Sequence, residues 1–442
     1  MNIQLSDSFT FKKLIRFTLP SVFMMIFTSI YGVVDGFFVS NIVGKTPFAA
    51  VNFIMPVLMM LGAFGFMFGA GGSALIAKTM GEGDIKKANH LFSLFVYVTF
   101  ILGVTVSLIS FFLLPKVAVM LGAEGKLLEN VIIYSRILLI SLPFFMLQLE
   151  FQTFFVTAEK PQLGLISTIV CGVTNMVLDA LFVAVFRWGL EGAAFATAIS
   201  EIIGGFFPVI YFSVSKKSLL HLGKTNFDIK SLIKASINGS SELLSNISMS
   251  LVGVLYNIQL LKYAGENGIA AYGVLMYVNF VFISAFIGYS VGTAPVISYH
   301  FGAGNSKELK NLLKKSMTVI SILAVFMFLT AELMSSTIAS LFVGYDKVLF
   351  DMTSRAFLIF SFSFLFSGFA IFGSGFFTAL NNGLVSAIIS FFRTLVFQIG
   401  AVLLLPLVWD INGIWASVVV AEIMAFILTF TFIGLKKKKY GY

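Results

Sequence analysis

Cysteine, histidine and charge are all scarce in this sequence. Its 442 residues include one cysteine, three histidines and only 11% charged residues. A single cysteine, Cys171, excludes an intrachain disulfide and a cysteine metal site. The histidines, His90, His221 and His300, fall in or beside polar loops, where solvated side chains are expected rather than metal ligands. Because a soluble domain carries roughly 25% charge, the composition also excludes an ordinary soluble fold.

Apolar residues, by contrast, make up 58% of the chain, and the mean hydropathy is +0.99. These values predict an all-α polytopic membrane protein, because apolar runs of this length cross a bilayer as helices. The sequence predicts twelve transmembrane helices, at residues 14–39, 48–77, 91–115, 131–157, 163–186, 191–214, 236–262, 269–298, 315–343, 353–379, 384–408 and 412–435.

The basic residues are unevenly distributed among the predicted loops. With the N-terminus inside, 20 of the 29 Lys and Arg residues lie in or next to inside loops. By the positive-inside rule, this bias predicts that both termini are cytoplasmic. The net charge of +9 is therefore interpreted as an orientation signal, and no nucleic-acid partner is expected.

The chain contains an internal repeat. Gly81-Glu82-Gly83-Asp84 aligns with Gly302-Ala303-Gly304-Asn305 at an offset of 221 residues. Six helices separate the copies, so the halves are predicted to be parallel repeats with a cleft between them. The predicted divisions are an N-terminal bundle of six helices at 1–214, a cytoplasmic linker at 215–235 and a C-terminal bundle of six helices at 236–442.

Four polar residues are predicted to share one layer in the outer part of the first half. They are Asp35 in the first helix, Asn175 and Asp179 in the fifth, and Thr197 in the sixth. Their oxygens could bind a hard cation such as Na⁺, or the two acids could share a proton. The alternatives are that Asp35 lies at headgroup level, and that the others form a structural hydrogen-bonded network. A functional role is favoured over a structural one, because two carboxylates at the same depth in a membrane are costly without a charged partner.

Other charged residues in the spans allow two interpretations each. Glu150 either neutralises a cationic substrate or lies protonated against a neighbouring helix. Glu242 is interpreted as a first-turn acid that opens the seventh helix. Repetition of Glu201 as Glu422 favours a structural role for both, and Arg393 is expected to pair with an acid of the C-terminal half or a backbone carbonyl.

Two Gly-Lys-Thr sequences do not form a nucleotide-binding loop. Gly44-Lys45-Thr46 and Gly223-Lys224-Thr225 lack the first glycine of that motif, which is replaced by Val39 and Ser218. ATP is therefore not expected to drive transport, and no enzymatic activity or cofactor is predicted. Coupling to H⁺ or Na⁺ is the remaining energy source for uphill transport.

Together these features resemble those of a bacterial MATE (multidrug and toxic compound extrusion) transporter, near the MepA-like branch. The resemblance rests on Val34-Asp35-Gly36-Phe37-Phe38-Val39, the paired glycine loops, Asn175 to Asp179 and the twelve helices. It implies a V-shaped pair of bundles that exchanges H⁺ or Na⁺ for an amphipathic, often cationic drug. It also implies ion coupling by Asp35, Asn175, Asp179 and Thr197. The tenth-helix acid of the NorM-like branch is absent, since Ser367 to Ala370 occupy that region.

The sequence therefore predicts a monomeric multidrug antiporter that binds cationic drugs, with Asp35, Asp179 and Glu150 as candidate substrate contacts. A flippase for lipid-linked substrates is the alternative within the same superfold, although only Arg393 lies well inside a helix to meet an anion. A passive channel or membrane scaffold is a third alternative, which the asymmetric acids and the repeat argue against.

Overall fold

Long helices account for nearly all of the chain. The computed structural model describes residues 3–215 and 217–442, and within them we count twelve long helices and no strand, which confirms the predicted all-α fold. The helices are α1 Phe11–Val43, α2 Thr46–Gly81, α3 Ile85–Met120, α4 Gly125–Thr157, α5 Pro161–Val185, α6 Gly189–Val214, α7 229–264, α8 266–302, α9 Ser306–Val343, α10 Lys347–Ala379, α11 Gly383–Leu404 and α12 Pro406–Tyr440.

Two helix boundaries depend on unusual backbone conformations. Helices α7 and α8 form one uninterrupted run, Ile229–Gly302, which is broken at Gly265 because its φ of 63° and ψ of −153° are not helical. Helix α7 begins at Ile229, where the Asp228 side chain accepts hydrogen bonds from the backbone N–H groups of Lys230 and Ser231. The end of the segment predicted as a linker is therefore helical, and the division into two lobes stays a prediction.

The outer surface of the helices is apolar. Leu333 and Leu341 on α9 are 82% and 81% exposed, and large apolar side chains are exposed on the other helices as well. Such a surface is stable in hydrocarbon but not in water. The protein is therefore embedded in a membrane.

The two copies of the repeat have the same local structure. Asp84 caps α3 by accepting a hydrogen bond from the Lys87 N–H at 2.9 Å, and Asn305 caps α9 in the same way. Gly83 and Gly304 have φ values of 89° and 67°, which favour glycine. The structure thus confirms the predicted equivalence of the two glycine loops.

The halves meet tightly on the face that carries the described N-terminal residues and the C-terminus, here called the terminal face. A Cβ atom at Gly81 would lie 2.0 Å from the carbonyl oxygen of Tyr299, and one at Gly302 would lie 2.0 Å from that of Lys78. These contacts exchange under the 221-residue offset, so α2 and α8 cross there as pseudo-symmetric partners. Glycine is required because any side chain would separate the two backbones.

The N-terminal segment 3–10 lies across the terminal face and touches both halves. The Leu5 N–H donates to Glu159, in the loop between α4 and α5, at 2.7 Å, and the Phe9 N–H donates to Glu308 of α9 at 2.8 Å. The side chains of Leu5 and Phe9 are buried. Lys13 forms an ion pair with Asp7 at 2.7 Å and holds the pKa of that carboxyl below its usual value.

Candidate functional site

The four polar residues predicted to form a layer come together inside the first half. Asp35 on α1 interacts with the side chains of Asp179 and Asn175 on α5 and with Thr197 on α6. The Asn175 amide donates to the Thr197 hydroxyl at 3.4 Å. Asp35, Asn175 and Asp179 are buried, with exposed fractions of 7%, 2% and 0%, and Thr197 is half-buried. We call these four residues the acid layer.

Several oxygens of the acid layer accept no hydrogen bond from a described residue. They are Oδ1 of Asp35, Oδ1 of Asn175 and both carboxyl oxygens of Asp179. Buried oxygens of this kind are costly unless a proton or a cation satisfies them. None of the described side chains that interact with either carboxyl is a Lys or Arg. Two carboxyls, an amide oxygen and a hydroxyl form a donor set that fits Na⁺ or shared protons.

A π-helical turn follows each carboxylate of the acid layer. One runs over Val39–Val43 at the end of α1, and the other runs over Ala180–Val185, directly after Asp179. Such turns lose the regular hydrogen-bond ladder of an α-helix and are frequent at functional sites. Both acids therefore lie within about one turn of irregular helical hydrogen bonding.

Residues that the sequence did not single out surround the acid layer. Tyr134 on α4 is fully buried and interacts with Asp35, Asp179 and Thr197, and Tyr31 on α1 interacts with Asp35. Aromatic residues are common throughout this chain, so their chemistry gave no signal. Their spacing could have identified Tyr134, because Tyr134, Ser141 and Gln148 occur at seven-residue intervals on one face of α4.

The repeated glutamates have different partners in the two halves. Glu201 on α6 accepts a hydrogen bond from Ser141 at 2.5 Å. Arg393 on α11 donates from Nε to both carboxyl oxygens of Glu422, at 3.1 and 2.9 Å. The expected pairing of Arg393 with an acid of the C-terminal half is therefore confirmed.

The interpretation of Glu242 as a first-turn acid is wrong. Helix α7 starts at Ile229, more than three turns earlier, because Asp228 provides the N-cap. Glu242 is half-buried within the helix and interacts electrostatically with Arg393. The sequence prediction missed the helix start because it followed hydropathy, and the first turns of this helix, before position 236, are polar.

Glu150 is fully buried inside the first half. Its carboxyl interacts with Thr99 on α3, and its backbone packs against Gly69 on α2, where a Cβ atom would lie 3.0 Å from the Glu150 Cα. Neither carboxyl oxygen accepts a hydrogen bond from a described residue. This position is closed to large ligands in the described conformation, so substrate binding by Glu150 remains an untested prediction.

The sequence matches one known family along most of its length. The profile of the MatE family aligns with residues 20–181 and 243–403, one segment in each half. The chain is 28% identical over 372 residues to the multidrug export protein MepA of Staphylococcus saprophyticus, covering 82% of this chain and 81% of that protein. The MepA protein of Staphylococcus haemolyticus is 26% identical over 437 residues, covering 98% and 95%.

Solved structures show the same fold. A structure described as the outward-facing conformation of a multidrug resistance MATE family transporter of the MOP superfamily superposes with a TM-score of 0.94 at 23% identity, over 99% of this chain and 98% of that one. A MATE in complex with MaL6 superposes with a TM-score of 0.93 at 23% identity, over 98% of both chains. At such identities the likeness concerns the fold.

Proposed function

The chain belongs to the MatE family, and from that membership we propose that it exports amphipathic cationic compounds in exchange for H⁺ or Na⁺. The MepA relatives are named as multidrug export proteins, which supports the proposed transport of drugs. Exchange by alternating access requires two states of the halves and an ion site that changes affinity between them. No ATP, cofactor or second subunit enters this proposal.

The observation that carries the proposal is the set of unpartnered oxygens in the acid layer. Asp35 Oδ1 and both Asp179 oxygens are buried without a described donor. Two protons would neutralise both carboxyls, and one bound Na⁺ would offset one of their two negative charges, so either reduces their repulsion. Loss of the ion would restore it and drive α1 and α5 apart. An ion-dependent change of helix packing is the coupling that an antiporter needs.

The direction of exchange follows from the proposed orientation. With the terminal face in the cytoplasm, as the basic loops favour, the acid layer lies near the outer end of α1 and α5. Ions would then enter from outside, and their binding would accompany drug release to that side. The glycine contacts at Gly81 and Gly302 close the terminal face in the described conformation. The same proposal places the protein in the bacterial plasma membrane as a monomer.

The described residues around Arg393 in the C-terminal half do not support the flippase alternative. An anionic lipid-linked substrate needs unpaired basic residues in the cleft. Arg393 is already neutralised by Glu422, and Glu242 also interacts electrostatically with Arg393. This cluster therefore offers no net positive charge.

The test is efflux of ethidium from liposomes that contain the purified protein. A pH gradient and a Na⁺ gradient are imposed separately. We expect one or both gradients to drive efflux by the wild type. Asp35→Asn and Asp179→Asn should each abolish this efflux, although both variants should purify as monodisperse protein. The matched control is Tyr256→Phe, which changes the position equivalent to Asp35 in the other half. Wild-type efflux that ignores both gradients, or normal coupling in both Asn variants, would refute the proposal.

A further inference from the structure

Polar side chains continue inward from the acid layer through the interior of the first half. They are contributed by α1, α4, α5 and α6 and lie one after another towards the terminal face. We call the following set the polar column: Tyr31, Gln148, Gln152, Thr168, Cys171 and Glu201.

The upper part of the column connects directly to the acid layer. Tyr31 interacts with Asp35, Glu201, Gln148 and Cys171. The Gln148 amide occupies space left by Gly204 on α6, where a Cβ atom would lie 2.8 Å from the amide carbon and oxygen. A glycine is needed at that point because a side chain would displace the amide.

The lower part of the column lines a small cavity between α4, α5 and α6. Gln148, Gln152 and Thr168 contribute polar groups to its wall, and Gly204 and Pro208 complete the α6 side. Gln152 is only 3% exposed, and neither its amide nitrogen nor its amide oxygen has a described hydrogen-bond partner. The Gln148 amide oxygen, on a side chain 5% exposed, also lacks one.

A buried amide without a hydrogen-bond partner is unfavourable in a membrane protein, and ordered water would supply the missing partner. Along α5 the polar positions Thr168, Cys171, Asn175 and Asp179 lie on one face at intervals of three or four residues. They span about 16 Å, half of a membrane. The column therefore extends from the acid layer to within two turns of the α5 end near the terminal face.

We propose that the polar column is a hydrated route by which the coupling ion leaves the acid layer towards the terminal face. This inference rests on the proposed exchange function and adds the path of the ion within one half, separate from the drug cleft between the halves. The column carries one carboxyl, Glu201, which accepts a hydrogen bond from Ser141. Its amides and hydroxyls suit this role, because they coordinate a cation or pass a proton through water without holding either tightly. Phe151 and Phe155 line the same cavity and keep it narrow.

The single cysteine of the chain serves as a probe within the column. Cys171 is 1% exposed, contacts Gln148 and donates its S–H to the Ser200 carbonyl oxygen at 3.1 Å. An aqueous Ag⁺ ion that reaches the thiol forms an S–Ag bond and releases the thiol proton. Ag⁺ is applied to right-side-out and to everted membrane vesicles, and residual thiol is measured by mass spectrometry. Lys307→Cys in a Cys171→Ser background identifies the preparation that exposes the terminal face.

We expect Ag⁺ applied to the terminal face to react with Cys171, and the double variant Gln152→Leu/Thr168→Val to slow the reaction at least about tenfold by drying the cavity. Gln152→Leu alone is the milder variant if the double one folds poorly. Gln162→Leu, at an exposed position of α5, should leave the rate unchanged. Val170→Cys in a Cys171→Ser background reports reaction at the neighbouring lipid-facing position, which is 48% exposed.

The inference is overturned if Cys171 reacts no faster than the cysteine at position 170, or if the double variant reacts as fast as the wild type. This readout requires no transport. Ion-driven efflux with an unreactive Cys171 would leave the exchange function standing and remove the column as its route. A reactive Cys171 that the double variant protects would support the hydrated column even if neither gradient drove efflux, and only the exchange function would then fail.

Discussion

The two halves of the molecule share a backbone plan but differ in their buried chemistry. Asp35, Asn175, Asp179 and Thr197 of the first half correspond, at the offset of 221 residues, to Tyr256, Val396, Gly400 and Val418 of the second. The second half therefore has no acid layer. Tyr256 instead donates to Gln398 at 2.8 Å and stacks on Tyr272 with ring centroids 5.3 Å apart.

The acid layer and the polar pairs near its counterpart differ in whether their charged and amide groups have hydrogen-bond partners. In the first half, oxygens of Asp35, Asn175 and Asp179 have no described donor. In the second, the Arg393–Glu422 ion pair and the Tyr256–Gln398 hydrogen bond match donor to acceptor. A satisfied network stabilises one arrangement, whereas an unsatisfied one responds to an added ion. We infer that the first half senses the ion and the second acts as its structural counterpart.

The largest effect is expected from moving the acid between the halves. Asp35→Asn/Tyr256→Asp should be as inactive in gradient-driven ethidium efflux as Asp35→Asn alone. The residues equivalent to Asn175, Asp179 and Thr197 are two valines and a glycine, so the transferred carboxyl would lack three of the four side chains that supply oxygens to the acid layer. Efflux restored by the second substitution would show that the halves are functionally interchangeable and would contradict the comparison.

The next largest effect concerns the ion pair of the second half. Arg393→Met should destabilise the protein by about 3–5 kcal/mol, because Glu422, whose side chain is 6% exposed, would keep a buried charge without its partner. Thermal unfolding in detergent measures the loss. Arg393→Met/Glu422→Met should recover much of it, and Arg355→Met at an exposed position of α10 is the control. A double variant no more stable than Arg393→Met would show that the loss does not come from the unpaired Glu422.

A smaller and equal effect in both halves is expected at the terminal face. Gly81→Ala and Gly302→Ala should each disfavour the closed contact by about 1–3 kcal/mol, since each Cβ atom would meet a carbonyl oxygen of the opposite half. Spin labels at Lys86→Cys and Lys307→Cys in a Cys171→Ser background should report longer distances.

Gly253→Ala, at a site with no heavy atom near the added carbon, is the control for those glycine variants. Unequal shifts from the two alanine variants would show that the pseudo-symmetric contacts do not bear equally on closure. Unchanged distances in both would mean that the helices tolerate the extra atom.

The smallest effect is expected at Tyr256, the counterpart of Asp35. Tyr256→Phe removes one hydrogen bond and should cost about 0.5–1.5 kcal/mol of unfolding free energy, with ethidium efflux retained. Thermal unfolding and efflux are measured on the same preparation. Loss of ion coupling in this variant would place part of the ion chemistry in the second half.

The residues that the sequence identified best were charged residues within apolar segments, because placing a charge in a membrane costs free energy. Asp35 and Asp179 stood out because carboxylates within apolar runs are rare, and the structure brings them together. Arg393 was expected to pair with an acid or a backbone carbonyl for the same reason, and its partner is Glu422. Glu242 was misplaced because the hydropathy of its surroundings marked the membrane boundary rather than the helix start, which depends on the local cap at Asp228.

The sequence by itself determined the twelve helices, the parallel repeat and the layer of Asp35, Asn175, Asp179 and Thr197, because apolar length and residue spacing fix depth along a helix. Only the tertiary structure decided which side chains face one another across helices. Tyr31, Tyr134, Gln148, Gln152 and Thr168 are ordinary residues in sequence, and the rotation and packing of α1, α4, α5 and α6 bring them to the acid layer or the column below it. Helix rotation depends on contacts between distant segments, which periodicity along a single segment does not specify.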